Sequence, residues 1–185
     1  MKRCGWVSTD ELYIKYHDEE WGKPVFDDAV LYEFLLLESF QAGLSWITIL
    51  KKRENFRLAF DGFDYKKIAN YNQEKIDELL LNEGIIRHRG KIEAAINNAK
   101  LFQNIQTEFG SFSDYLWAFV NHQPLLNAFQ TLKDVPAKTE ISDAIAKDLK
   151  KRGFKFMGST TVYAFMQAVG LVNDHVSDCF FFKKE

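Results

Sequence analysis

The sequence predicts an all-α protein, and three observations carry that prediction. Apolar residues recur at helical spacing over most of the chain, alternation typical of half-buried strands is missing, and glycines or prolines fall between the periodic stretches. The chain has 185 residues, 46% of them apolar and 15% aromatic, which is enough to bury a sizeable core. Because the sequence holds no internal repeat or low-complexity linker, we expect residues 1–185 to form one unit, either one body or two closely packed helical lobes.

The helical stretches follow one another along the chain with recognisable start and stop signals. The apolar sets at helical spacing are Leu31, Phe34, Leu35; Trp46, Ile49, Leu50; Ile92, Ala95, Ile96, Ala99; and Val162, Phe165, Met166, Val169. Side chains that can accept from free amides predict helix starts at Asp27, Ser45 and Ser142. Helix breaks are expected at Gly62, Gly84, Gly110, Pro124, Pro136 and Gly153. Residues 1–26 and 171–185 are the most irregular, so something other than long amphipathic helices must hold the termini.

Composition and charge limit the function classes. The net charge of -2 is not typical of a nucleic-acid-binding protein. Positively charged residues nevertheless cluster in LKKR (50–53), RHRGK (87–91) and KDLKKRGFK (147–155). Each cluster taken alone is explained by a solvated helix face. No apolar run approaches the roughly 20 residues of a bilayer span, and the N-terminus lacks the apolar centre of a secretory signal. We therefore expect a cytoplasmic protein without a membrane partner.

The two cysteines lie at opposite ends of the chain, and each has a histidine nearby: Cys4 with His17, and Cys179 with His175. Two thiolates and two imidazoles are the ligands that a closed tetrahedral zinc site prefers. Such a site would pin both termini together and, with four protein ligands, would be structural rather than catalytic. The spacing alone is equally consistent with buried thiols and ordinary histidines, and a disulfide is disfavoured in a reducing compartment.

A carboxylate falls on an apolar helix face. Glu38 lies seven residues after Leu31, on the side that also carries Phe34 and Leu35. Burying a carboxylate is costly unless something pairs with it. Aromatic residues are dense in the surrounding sequence, namely Trp6, Tyr13, Tyr16, Trp21, Tyr32, Phe40 and Trp46. Aromatic walls with one carboxylate suit a planar cationic ligand, and core packing with Glu38 reaching solvent is the alternative.

A glycine-bounded turn lies in LKKRGFKFMGSTTVYAFMQAVG (149–170). The pattern predicts the end of one helix, a turn between Gly153 and Gly158, and a second helix that starts near Ser159. Free amides of the turn and the charge of Lys155 would face an anion. This unit, about residues 143–170, resembles a helix-hairpin-helix, which grips a DNA backbone phosphate without reading sequence. Many helical proteins have a similar turn that binds nothing.

Seven segments spread over nearly the whole chain resemble the bacterial 3-methyladenine DNA glycosylase I family. They are RCGWV (3–7), YHDEEWG (16–22), QAGLSWITILKKRENF (41–56), GIIRHRGKI (84–92), FVNHQP (119–124), KKRGFKFMGSTT (150–161) and QAVGLVNDH (167–175). The resemblance implies a compact helix-hairpin-helix glycosylase fold. It also implies one structural Zn²⁺ on Cys4, His17, His175 and Cys179, which ties the N- and C-terminal segments together.

The resemblance further implies a pocket for a flipped base. Glu38, Tyr16 and Trp46 would line it, with Trp6 and Tyr13 as additional walls. Among these residues, Glu38 is the one candidate for a catalytic role.

The same resemblance implies two DNA contacts. The QAGLS turn (41–45) would approach the gap left in the duplex, which makes Gln41, Gly43 and Leu44 candidate DNA-binding residues. The hairpin would add Gly153, Lys155 and Gly158. The wider superfamily commonly uses an aspartate shortly after the hairpin helix, but the loop after Gly170 is too short to carry that role over to Asp174.

The function implied is base excision repair of alkylated double-stranded DNA by a monomeric, monofunctional DNA-3-methyladenine glycosylase. It would hydrolyse the N-glycosidic bond, leave an abasic site and use no organic cofactor. Because adenine methylated at N3 is cationic and already a good leaving group, selective binding by Glu38 is expected to matter more than acid catalysis. Two rival hypotheses are a noncatalytic DNA-binding module and a zinc hydrolase with an open metal position. Both leave Glu38 and its aromatic neighbours without a purpose.

Overall fold

The computed structural model describes residues 2–182 and has a predominantly helical architecture, as predicted. In chain order the α-helices within these residues are α1 (Glu11–Glu19), α2 (Asp28–Gln41), α3 (Trp46–Ala59), α4 (Tyr65–Ile68), α5 (Gln73–Leu81), α6 (Arg89–Phe109), α7 (Phe112–Ala118), α8 (Glu140–Arg152) and α9 (Ser159–Ala168). Short 3₁₀ turns cover Asp61–Phe63 and Leu132–Asp134. None of the helices within residues 2–182 has both the length and the apolar character that crossing a membrane requires.

Two of the three predicted helix starts are confirmed in position. The Asp27 carboxylate accepts from the first amides of α2, and Ser45 is the N-cap of α3, although its hydroxyl meets that of Thr48 instead of capping an amide. The start at Ser142 is wrong, because Thr139 is the N-cap of α8. Ser142 is the reciprocal partner of a capping box, in which its amide donates to Thr139 Oγ1 and its hydroxyl accepts from the Thr139 amide.

The expectation of an all-α chain is wrong in one detail. Strand β1 (Leu125–Leu126) pairs in parallel with β2 (Val172–Asn173), so the segment after α7 is joined to the segment after α9. A strand of two residues carries no alternation that a sequence could reveal. Residues 1–26 are also more regular than expected, since α1 forms there behind an Asp10 N-cap. At the other irregular end, residues 183–185 lie outside the described residues.

Helix α2 forms the centre of the molecule. All of its residues from 31 to 40 are buried, because α3, α6, α7 and α9 pack around it. A helix covered on every side is expected to be apolar all round, and α2 departs from this at Glu33, Glu38 and Ser39. Glu33 is paired with Arg53 and Arg57. Glu38, in contrast, is buried without an ion-pair partner within the described residues, which suggests a functional role.

The N-terminal segment crosses the end of α9. The Gly22 amide donates to the Gln167 carbonyl at 3.0 Å, and the Val25 amide donates to the Val169 carbonyl at 3.0 Å. Gly170 has φ +72°, and a Cβ there would lie 2.3 Å from the Lys23 carbonyl carbon, so only glycine fits. This crossing brings the chain before α2 against the chain after α9, where the two predicted halves of the metal site lie.

Candidate functional site

A cavity of about 380 Å³ opens beside α1, α2, the start of α3 and α9. The five residues predicted to line a base pocket, Trp6, Tyr13, Tyr16, Glu38 and Trp46, all line this cavity. Its volume lies within the ordinary range of small-ligand sites. The structure thus brings together residues that are up to 40 positions apart in the sequence, from Trp6 to Trp46.

The aromatic walls of the cavity brace one another. The Tyr16 and Trp46 rings lie 5.3 Å apart at a tilt of 46°. The Trp6 ring meets Tyr13 edge-on at 5.4 Å and Trp21 edge-on at 5.0 Å. Because edge-to-face contacts of this kind are favourable and hold ring orientation, the walls are positioned by the protein itself.

Three buried polar atoms of the cavity lack hydrogen-bond partners. Within residues 2–182, the buried side-chain nitrogen or oxygen atoms without a partner are Glu38 Oε2, Trp6 Nε1 and Trp46 Nε1, and all three residues line this cavity. Leaving such a group unpaired costs roughly 1–3 kcal/mol. The core therefore concentrates its unmet hydrogen-bonding capacity, one acceptor and two donors, at a single site.

The ionisation of Glu38 is shifted by its surroundings. Glu38 is 3% exposed, and burial raises the pKa of its carboxyl to about 8. Burial, with the nearby Glu38 carboxylate, also raises the pKa of Tyr16, so the phenol keeps its proton. A bound cation would favour the ionised form of Glu38, because an opposite charge close to a carboxylate lowers its pKa. The site is thus suited to a flat ring that carries positive charge and a donor edge.

The far wall of the cavity contains two residues that the sequence did not predict for this site, together with Asp174, to which the sequence assigned no role. Tyr163 and Gln167 of α9 line it together with Asp174. Asp174 is 2% exposed and accepts from Tyr163 Oη at 2.6 Å, Gln167 Nε2 at 2.8 Å and Asn127 Nδ2 at 2.7 Å. Its carboxylate is committed to holding the wall, in contrast to that of Glu38. The spacing of Tyr163 and Gln167, four residues apart on one helix, was the available signal.

The four predicted metal ligands also come together. The candidate ligand atoms of Cys4, His17, His175 and Cys179 lie within 4.8 Å of one another, and all four residues are buried. Cys179 Sγ is 3.4 Å from His17 Nε2 and 3.5 Å from His175 Nδ1, and Cys4 Sγ is 3.5 Å from His175 Nδ1. On tetrahedral zinc, bonds of about 2.3 Å to sulfur and 2.0–2.1 Å to nitrogen place S and N roughly 3.5 Å apart. The donor set and its spacing therefore fit such an ion.

The protonation and orientation of the two histidines also fit. Burial lowers the pKa of His175 to about 4 and lowers that of His17, so both imidazoles are in the neutral form that binds metal. Burial raises the pKa of the Cys4 thiol to about 12, and a cation is what stabilises a thiolate in such a place. Asp18 Oδ1 lies 2.7 Å from His17 Nδ1 and is itself held by Arg3, which leaves Nε2 directed at the cluster.

The predicted DNA contacts lie outside the cavity, apart from Gln41. Gln41 ends α2 and lines the cavity, whereas Gly43, with φ +81°, and Leu44, 40% exposed, lie on the exposed turn that follows. On the second turn, Gly153 ends α8 with φ +101°, and Lys155 is exposed. Gly158, also exposed, is the N-cap of α9. The predicted DNA contacts thus fall on two turns that each have exposed residues, 41–45 and 153–158.

A helical scaffold with a preformed aromatic cavity and the unpaired, buried carboxyl of Glu38 is typical of a protein that binds a flat, hydrogen-bonding ring. The sequence profile of the methyladenine glycosylase family matches residues 6–183. DNA-3-methyladenine glycosylase 1 of Escherichia coli is 55% identical over 179 residues, which cover 97% of this chain and 96% of that protein. The DNA-3-methyladenine glycosylase of Haemophilus influenzae is 55% identical over 177 residues, or 96% of each chain.

The fold agrees with these sequence relations. A solved 3-methyladenine DNA glycosylase I from Staphylococcus aureus, described for its structural basis of 3-methyladenine recognition, has a TM-score of 0.95 to this chain at 39% identity. The match covers 100% of this chain and 98% of that one. The chain belongs to the methyladenine glycosylase family.

Proposed function

We propose that this protein is a DNA-3-methyladenine glycosylase that removes the alkylated base in base excision repair. The observation that carries the proposal is the unpartnered, buried Glu38 carboxylate inside an aromatic cavity. The names of relatives at 55% identity, which are DNA-3-methyladenine glycosylases, support it. Only an extrahelical base can reach such a cavity, so the substrate nucleotide is flipped out of the duplex.

The chemistry assigned to the cavity is selective binding. Adenine methylated at N3 carries a positive charge in DNA and leaves as a neutral base once the glycosidic bond breaks. Trp46 would stack on the ring, the Tyr16 hydroxyl would be a polar partner at its edge, and the Glu38 carboxylate would accept from that edge and attract the charge. Unmodified adenine is neutral and gains less from a carboxylate that must first lose its proton. Discrimination therefore arises from the energy needed to ionise Glu38, which only a cationic ring offsets in full.

We propose that the two exposed turns bind the DNA around the flipped nucleotide. Gln41, Gly43 and Leu44 would occupy the gap in the stack, since Gln41 reaches the cavity while Leu44 presents an exposed apolar side chain. The turn from Gly153 to Gly158 would act as the hairpin of a helix-hairpin-helix, with the first amides of α9 and Lys155 facing a phosphate. Gly158 has no side chain to cap those amides, which leaves them available to an anion.

The Cys4, His17, His175 and Cys179 cluster would hold one structural Zn²⁺. Four protein ligands complete a tetrahedral shell, so the ion would fix the chain termini and take no part in bond cleavage. The ion would also help to position the cavity wall, because the ring of Trp6, which lines the cavity, lies 5.4 Å from the ring of His17.

The test is release of free 3-methyladenine from methylated duplex DNA by the metal-loaded protein. Glu38→Gln keeps the shape of the side chain but removes its charge, and we expect kcat/KM for release to fall about 100-fold or more, as for loss of one partner of a buried, hydrogen-bonded charge pair. Glu54→Gln is the matched control, because Glu54 is exposed and is not among the residues that line the cavity. If Glu38→Gln releases the base as fast as the parent protein does, the binding role proposed for the Glu38 carboxylate is wrong.

DNA binding without base release by the parent protein would overturn the enzyme assignment in favour of a noncatalytic DNA-binding module. Loss of release upon Trp46→Ala, with folding and metal content intact, would add independent support for the cavity as the active site.

A further inference from the structure

Lys91 is buried although its sequence context predicts a solvated basic cluster. It lies in RHRGK (87–91), in the first turn of α6, and is 6% exposed. Its Nζ donates to the Phe40 carbonyl at 2.8 Å and to the Ala42 carbonyl at 2.6 Å. These carbonyls belong to the last residues of α2 and to the turn that follows. The side chain of Lys91 on α6 thus caps the C-terminal end of α2.

The burial of an ammonium group in this place has a physical cost and a local compensation. Burial lowers the pKa of Lys91, because the charged form is less well solvated. Carbonyls at a helix C-terminus have no partner inside the helix and carry partial negative charge, so an ammonium group there is favoured. The bonds fix the backbone directly before Gly43 and Leu44, the exposed part of the 41–45 turn.

Lys91 also contacts the other exposed turn. Its Nζ lies 5.9 Å from the centre of the Phe156 ring, within reach of a cation–π attraction. Phe156 has φ +56°, an unfavourable backbone conformation for an aromatic residue, and is 39% exposed. Side-chain contacts are thus part of what holds the 153–158 turn in shape.

The same helix holds that turn at a second place. Asn98 of α6 accepts from the Lys155 amide at 3.0 Å and donates to the Lys155 carbonyl at 3.0 Å. Asn97 Nδ2 donates to the Gly153 carbonyl at 3.0 Å. Helix α6 therefore contacts both turns, and Lys91 touches each of them.

We propose that Lys91 is a positioning residue that sets the 41–45 turn against the 153–158 turn so that both engage one DNA duplex together. The proposal rests on the proposed function, because it assigns the two turns to the same substrate. Lys91 itself is placed too deep to be a surface phosphate contact, and it acts through the backbone that it holds.

The experiment compares Lys91→Met with the matched control Lys100→Met, which removes the same charge from an exposed position on the same helix. We measure kcat and KM for base release from methylated duplex DNA and the affinity for free 3-methyladenine. With Lys91→Met we expect duplex kcat/KM to fall about 10- to 100-fold, as for a misplaced binding element, while the affinity for the free base stays unchanged. Equal losses in both readouts would overturn the proposal, since a general loss of structure would also disturb the cavity.

A double-mutant cycle with Leu44→Ala separates positioning from bulk charge. If Lys91 acts by placing the 41–45 turn, Lys91→Met should cost little more once the Leu44 side chain is gone, whereas independent effects would multiply. Lys91→Arg, which restores a cation with several donors, should recover part of the duplex activity. Multiplied effects in the cycle, or no recovery by arginine, would count against the proposal.

Phe156→Leu provides a variant that leaves the Lys91 carbonyl bonds in place should Lys91→Met fail to fold. We expect a loss of about threefold in duplex kcat/KM, of the size of one exposed cation–π contact, with unchanged free-base affinity. An unchanged kcat/KM for duplex DNA would contradict the proposal that the contact between Lys91 and Phe156 couples the two turns. Failure of the parent protein to release any base would instead refute the proposed function, so the two failures are distinguishable.

Discussion

The cavity and the terminal cysteine–histidine cluster are both buried, but they differ in how their polar atoms are satisfied. In the cluster, Cys179 Sγ lies within 3.5 Å of both histidines, and His17 is held from behind by Asp18. In the cavity, Glu38 Oε2 and two indole nitrogens have no partner within the described residues. The side chains of the cluster contact one another, whereas the cavity leaves three buried polar atoms without a partner within the described residues.

With the proposed ion bound, the cluster would serve stability and the cavity would serve function. A closed shell of four ligands adds to folding free energy and leaves nothing for chemistry. An unpaired buried carboxylate lowers stability and provides binding energy for the right ligand. Variants in the two regions should therefore have opposite signatures, and the following predictions test that contrast from the largest effect to the smallest.

Loss of a cluster ligand should have the largest effect, and it should be on stability. Cys179→Ser is expected to lower the free energy of unfolding by about 5 kcal/mol and the Tm by roughly 10–20 °C, because the binding energy of the ion is part of the folding energy. Thermal unfolding with metal analysis measures both. Asp178→Asn, an exposed change one residue away, should have little effect. A parent protein whose Tm does not respond to a strong chelator would contradict a structural metal.

Removal of the Glu38 charge should affect stability in the opposite direction and with a pH dependence. The folded pKa of about 8 lies above the ordinary 4.5 because of burial. The stabilising contribution of the protonated carboxyl is complete below pH 4.5 and is lost as the pH rises through 8. Glu38→Gln lacks this loss, so its advantage over the parent protein should grow by a few kcal/mol across that window. Denaturant unfolding at several pH values measures this difference in stability. If the stabilities of Glu38→Gln and the parent protein change with pH in parallel, the raised pKa of Glu38 is contradicted.

The carboxylate behind His17 should have an intermediate effect. Asp18→Asn weakens the contact that orients the imidazole, and we expect metal affinity to fall about 10- to 100-fold. Competition with a chromophoric chelator measures this change. Glu19→Gln, at the next and exposed position, is the control. Base release at saturating metal should be unchanged, and a lasting defect would mean that Asp18 serves the cavity directly.

The smallest effect concerns one indole N–H. Trp46→Phe keeps an aromatic ring but removes a donor without a partner, so we expect affinity for 3-methyladenine to fall about 3- to 10-fold with no loss of stability. Trp117→Phe is the matched control, because Trp117 Nε1 donates to the Val25 carbonyl at 2.8 Å. That variant should lose stability and keep its base affinity. If both variants behave alike, unmet hydrogen bonds do not distinguish the two regions.

Residue chemistry predicted both regions better than it predicted their surroundings. Two cysteines and two nearby histidines suggested a ligand set that the family resemblance then supported, and Glu38 is conspicuous because a carboxylate interrupts an apolar helix face. Tyr163 and Gln167 in the far wall of the cavity were missed because tertiary packing alone brings α9 against α1 and α2, and Asp174 was considered but given no role.

The sequence predicted where most helices lie but misjudged some local details. Thr139 and Ser142 are both good N-cap residues, and only the backbone conformation decides that Thr139 is the cap. The β1–β2 pair is too short to leave a periodic pattern. Lys91 belongs to a run of charged residues that ordinarily lies on a surface, so its burial could not be read from the run.

Helix α1 places Tyr16 in the wall of the cavity and the next residue, His17, in the cluster. Successive helical residues point about 100° apart, so the two regions divide the faces of one short helix. Inserting or deleting a single residue between Asp10 and Tyr16 would turn both side chains away from their sites at once. The length of this segment is thus a requirement that the two sites share: a substitution can change one site alone, whereas a change in length alters both together.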